Sequence, residues 1–262
     1  MAFSSSSSLP IRSVSLPTRS HPSTLQVEEE LVKFKTWETS VSCVSDAETI
    51  YSGLTNLGRM YTCVENLLSL PLTRQALSHN QYEKLVLELE DRSMRLLDIC
   101  GSLRDIVSQI KEHVRDVQSA LRRRKGGLII DASFLKKLTK DAKKGVVDFK
   151  QIDHAYGAKP WNIDNHLSSV IRVLRTVSEA SVSVFGMILS YLSVLVSKPK
   201  SAIKWSIVSK FIQEGEAVCK DQPRMRIEAL DCSIEDIENG LECLFRRLIR
   251  TQASLLNIIS LM

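Results

Sequence analysis

Turns and catalytic signatures are what this chain of 262 residues has least of. It holds ten Gly and seven Pro, and four of those Pro (Pro10, Pro17, Pro22, Pro71) precede residue 72, so most of the chain lacks the punctuation of strand-rich folds. The histidines make no H-E-x-x-H, and the glycines form neither G-x-S-x-G, G-x-G-x-x-G nor a phosphate loop ending in Lys and Ser or Thr. Asp164 and His166 stand close together, but one carboxylate beside one imidazole needs a third partner before it is chemistry. No C-x-x-C joins Cys43, Cys63, Cys100, Cys219, Cys232 and Cys243, and no apolar signal-peptide core precedes them. Free thiols in a reducing compartment follow. The expectation is a protein that is not an enzyme and carries no cofactor and no metal.

What the chain does have is helical periodicity. Ile227, Leu230, Ile234, Ile237, Leu241, Leu244, Leu248, Thr251, Leu255, Ile258 and Met262 step by three and four without a slip, a heptad seam. Ile50, Leu54, Leu57, Tyr61, Val64 and Leu68 form a second stripe that Pro71 ends. A third runs from near Asn80 through Leu85, Leu89, Leu96, Ile99, Leu103, Ile106, Ile110, Val114, Val117 and Leu121 to Gly126, predicting one helix of about 45 residues. A fourth spans residues 163–197. Each stripe needs covering, so the fold class is all-α: an elongated antiparallel bundle of long helices behind a disordered N-terminal arm. The arm is residues 1–27 and the bundle 28–262, with a short polar linker at 214–224 inside it. Gly240 lies within the last seam, where it fits close approach to another helix. Residues 180–197 carry no charge, yet their five serines suit a central bundle helix better than a membrane span.

The net charge of +5 is local, because residues 111–150 hold 12 Lys and Arg against 5 Asp and Glu. Arg122, Arg123, Arg124 and Lys125 fall in the last turn of the third helix, where cations offset the partial negative charge of its end. A short basic helix follows, with Leu135, Leu138, Ala142 and Val146 on one side and Lys136, Lys137, Lys140, Lys143 and Lys144 on the other. These nine cations suit an acidic protein or an anionic membrane surface touched peripherally. Nucleic acid is the weaker reading, since no aromatic residues interleave them for base stacking. In the arm, Arg12, Ser13, Ser15 and Pro17 fit R-S-x-S-x-P, the pattern that 14-3-3-type readers bind once the second Ser is phosphorylated. The arm is also Ser-rich and free of acid, which sets a plastid address beside the expected cytoplasm. Periodicity leaves the oligomeric state open.

Seven blocks in order, RSVSLPTRSHPST (12–24), VEEEL (27–31), LPLTRQAL (70–77), LLDICGSLRD (96–105), VRDVQSALRRRK (114–125), KWSIVSKFIQ (204–213) and LECLFRRLIRTQASLLNI (241–258), resemble the plant-specific BYPASS-type family. The resemblance implies a role in root and shoot development, with the founding member linked to restraining a root-derived mobile signal. It brings no catalytic residues. Relatives often carry a longer acidic linker where this chain has only residues 214–223. One expectation is directly checkable in cell extract: a peptide of residues 9–20 phosphorylated on Ser15 enriches 14-3-3 proteins over its Ser15→Ala counterpart, and equal recovery removes the reader from the account.

Overall fold

A computed structural model describes residues 21–41, 46–122, 137, 139–149, 165–196 and 222–262. Among them the helices are α1 (Pro22–Ser40), α2 (Ala47–Ser69), α3 (Pro71–Leu77), a 3-10 turn at Asn80–Tyr82, α4 (Glu83–Arg122), α5 (139–149), α6 (Asn165–Val196) and α7 (Gln222–Ile259), with no strand among the described residues. The helix starts follow local chemistry. Asp46 Oδ1 accepts the Thr49 backbone N–H at 2.8 Å to cap α2, and Pro71 sits at the first position of α3, where its missing N–H costs nothing.

The same rule moves the arm's boundary. Residues 21–27 were expected to be disordered, but Pro22 opens α1, His21 Nδ1 caps it from Ser23 N at 3.2 Å, and Thr24 and Val27 are buried. Proline breaks a helix from inside and fits one at its start. Residues 1–20, and with them most of the arm, lie outside the described residues, as does the linker up to residue 221.

Four long helices close a ring in the order α2, α7, α4, α6. The α4–α7 contact is the most extensive. Every seam station from Ile227 to Ile258 is buried, and Met262, beyond the helix end, packs against the core. Polar side chains mark the direction of the pairing: Gln252 Nε2 donates to Glu90 Oε1 at 2.6 Å, Arg104 pairs with Glu242 and lies 4.2 Å over the Phe245 ring, and Lys111 Nζ reaches Glu238 Oε2 at 2.5 Å and Glu235 Oε1 at 3.5 Å. As α4 advances its α7 partners recede, so the two are antiparallel.

Against α2 the order rises instead, with Leu54 beside Gly240 and Glu65 near Arg247 and Arg250, so α2 and α7 are parallel. Tyr61 meets Ser181, and Thr73 meets His166, which makes α6 antiparallel to α2 and hence parallel to α4. The bundle is thus antiparallel across two of its four seams. Parallel neighbours need a long return, which the stretch between α4 and α6 supplies, whereas α2 reaches α4 through the short α3 and the Asn80–Tyr82 turn. α1 lies outside the ring over α2 and α6, held by Phe34 and by Glu28 with Arg172.

At Gly240 the helices nearly touch. A Cβ there would stand 2.8 Å from Leu54 Cδ1 and 3.1 Å from Leu54 Cβ. Gly240→Ala gains about 1 kcal/mol of helix propensity but meets overpacking of about 1–3 kcal/mol, so a net loss of about 1 kcal/mol is expected in chemical denaturation. The loss should shrink when Leu54 is already Ala; additive losses would show that the two positions are not in contact. Lys111 gives a pH signature, because the hydrogen bond and charge of Glu238 raise its pKa above 10.5. Its contribution is therefore present below pH 10.5 and lost as pH climbs through the raised value. The melting-temperature gap between the wild type and Lys111→Met should close only in that alkaline range.

Candidate interaction surface

α5 buries an apolar face and exposes a basic one. Thr139, Ala142, Val146 and Phe149, three and four apart, are buried. They seat on α4: a Cβ at Gly145 would lie 3.2 Å from Ile99 Cγ1, and the Arg92 guanidinium stands 5.1 Å over the Phe149 ring. Ile99 follows Arg92 while Gly145 precedes Phe149, so α5 runs antiparallel to α4 and its lysine-rich start points toward the Arg122 end. On the outer face Lys137, Lys140, Lys143 and Lys144 are exposed, with Asp141 among them and Val147 at 51% exposure nearby. Such charges attract an anionic surface over a screening length of about 8–10 Å and weaken with salt.

The expected cations are only partly brought together. Lys137, Lys140, Lys143 and Lys144 share one face; Arg122 is exposed at the end of a different helix, α4. Arg123, Arg124, Lys125 and Lys136 lie outside the described residues, as do Arg12, Ser13, Ser15 and Pro17. The seat itself was not anticipated. Arg92 is 2% exposed and occupies the station between Leu89 and Leu96, so the spacing pointed to it although its residue type did not. The apolar face also continues to Phe149, three residues past Val146.

Burial favours the neutral forms of two thiols and one phenol in the interior. Burial pushes the Cys100 thiol up to about 12, raises Cys63 as well, and raises the Tyr61 phenol, whose hydrogen bond to Ser181 offsets burial only in part. Cys243 is exposed. It stands 100° round the helix from Leu244 and 200° from Leu241, which turns it to solvent. His166 Nε2 lies 3.1 Å from Thr73 Oγ1 and its ring 6.4 Å from that of His21, so it ties the start of α6 to α3 and α1. Asp164 is outside the described residues. Glu88, buried, takes Arg175 Nη2 at 2.8 and 3.0 Å across the α4–α6 seam.

Among the described residues no group of three or more His, Cys, Asp or Glu could hold a metal ion. One helix, α6 over Asn165–Leu195, is long and apolar enough to cross a membrane by length and composition, with a mean hydropathy of 1.5 and half of that window buried. In the bundle it packs against α1, α2 and α4.

A family model described as Protein BPS1 matches residues 53–258. The match takes in α3 to α6, most of α2 and all but the last residue of α7; the two N-terminal blocks of the resemblance fall before it. No curated protein and no solved structure matches the chain. The matched span covers well over half of the chain and the whole four-helix ring apart from helix ends, and on that ground the chain belongs to the BYPASS-type plant family of developmental proteins.

Proposed function

We propose that this is a non-enzymatic helical interaction protein of plant root and shoot development, that it limits a root-derived mobile signal, and that an acidic protein partner docks on the lysine face of α5. The observation that carries the docking is the division of labour within α5. Its apolar residues, Phe149 among them, hold it to α4, which leaves Lys137, Lys140, Lys143 and Lys144 outside the packing and exposed on one face. The described cysteines are free, which supports a cytoplasmic setting. Phosphorylated Ser15 in the arm would add a regulatory contact for a 14-3-3-type reader.

A second reading, peripheral contact with anionic lipid, draws on Val147, an exposed apolar side chain three and four residues beyond Lys144 and Lys143. One variant tests both. Changing Lys137, Lys140, Lys143 and Lys144 to Gln should leave stability within about 0.5 kcal/mol, because exposed residues without packing roles rarely matter more. It should abolish salt-sensitive capture of the partner and fail to restore root and shoot growth in plants lacking the protein. Full restoration would remove α5 from the function. Flotation with anionic but not neutral liposomes, lost in the same variant, would move the contact from protein to membrane.

A further inference from the structure

A cavity of about 20 Å³ lies inside the ring, where α2, α4, α6 and α7 meet. All ten residues that line it are buried, and most are Leu or Val. Four are not: Tyr61, Ser93, Ser178 and Thr251, one from each helix. Two of these hydroxyls are accounted for. Tyr61 OH pairs with Ser181 Oγ at 3.0 Å, and Ser178 donates to the Leu174 carbonyl at 2.8 Å, the ordinary solution for a serine within a helix. Ser93 and Thr251 do not take it. They are 6% and 4% exposed, and neither Ser93 Oγ nor Thr251 Oγ1 has a hydrogen-bond partner within the protein.

Two orphaned hydroxyls on the wall of one small cavity are a rare arrangement, because buried polar groups are nearly always paired. The volume narrows what can pair them. A water needs roughly 10–15 Å³ of such space and two to four polar partners, while any organic ligand needs far more. We propose that this cavity is a binding site for one ordered water, bridging Ser93 Oγ on α4 to Thr251 Oγ1 on α7, with the Ser178 oxygen free to accept a third hydrogen bond. Its class of ligand is thus a single small hydrogen-bonding molecule.

The site explains the one hydroxyl-bearing station of the α7 seam. Moving α7 by one heptad would bring Leu244 or Ile258 to the place of Thr251 and strand Ser93 beside an apolar wall. The bridge therefore selects one register of α7 against α4, as a buried polar residue does in a coiled coil.

Water–protein NOE spectroscopy on the full chain tests this. A long-lived water should show cross-peaks to both the Thr251 γ-methyl and the Ser93 β-protons, and a crystal structure resolving ordered waters should place one oxygen within hydrogen-bond distance of both hydroxyls. In the Ser93→Ala/Thr251→Val double variant, checked for retained helicity, both signals should vanish. Absence of the water in the wild-type protein, or a water that touches only one of the two hydroxyls, overturns the bridge. So does a single Thr251→Val that raises the unfolding midpoint, since a dry cavity gains from losing an unpaired hydroxyl whereas a bridged one loses a partner.

Discussion

The pairing of α4 with α7 is the constraint on which the remaining helices depend. Burying an aliphatic side chain contributes about 1.5–3 kcal/mol, while an exposed ion pair contributes about 0–1 kcal/mol. The nine aliphatic seam stations from Ile227 to Ile258 therefore outweigh the clamps along the rim. The clamps have another consequence. Leu and Ile stations are nearly interchangeable under a one-heptad slip, but Lys111 with Glu238, Arg104 with Glu242 and Gln252 with Glu90 meet only in one antiparallel alignment. Apolar burial holds the pair together, and charge chooses how it lies.

Once that pair is set, the others have little freedom. α2 must approach α7 at Gly240, where only a residue without a side chain admits Leu54. α6 then closes the ring with Tyr61 against Ser181 on one side and Glu88 against Arg175 on the other. The latter is a bidentate contact of a buried carboxylate, and a buried charge is tolerated only when so paired. Ile99 and Arg92 of α4 also accept α5, whose small and aromatic residues face them and leave the lysines to solvent. A packed interior and a charged outer helix are thus consequences of one another: the bundle buries its apolar residues and leaves the lysine face of α5 to solvent.

Much of this was legible from spacing alone. The four stripes became four long helices, and the stations named in α2, in α4 from Leu85 to Val114, and in α7 are buried. Gly240 was readable as a close approach because glycine costs a helix stability that only packing returns. The lysine face of α5 was readable too. Its seat was not, because periodicity reports which side of a helix is covered but not by what. The arm's end was set too late because Pro22 opens a helix rather than ending one, and Arg92 escaped because a buried cation looks polar until the Phe149 ring is placed over it.

The sequence by itself determined the helices, their buried faces, the concentration of positive charge and the family. These are local properties, carried by neighbours three and four residues apart and by blocks in fixed order. Only the tertiary structure decided that α6 runs parallel to α4, that α5 seats on Ile99 and Arg92 of α4, and that Ser93 meets Thr251 at one cavity. Each depends on distances between residues far apart in the chain, and those are set by how the stripes choose partners when several apolar faces compete for the same cover.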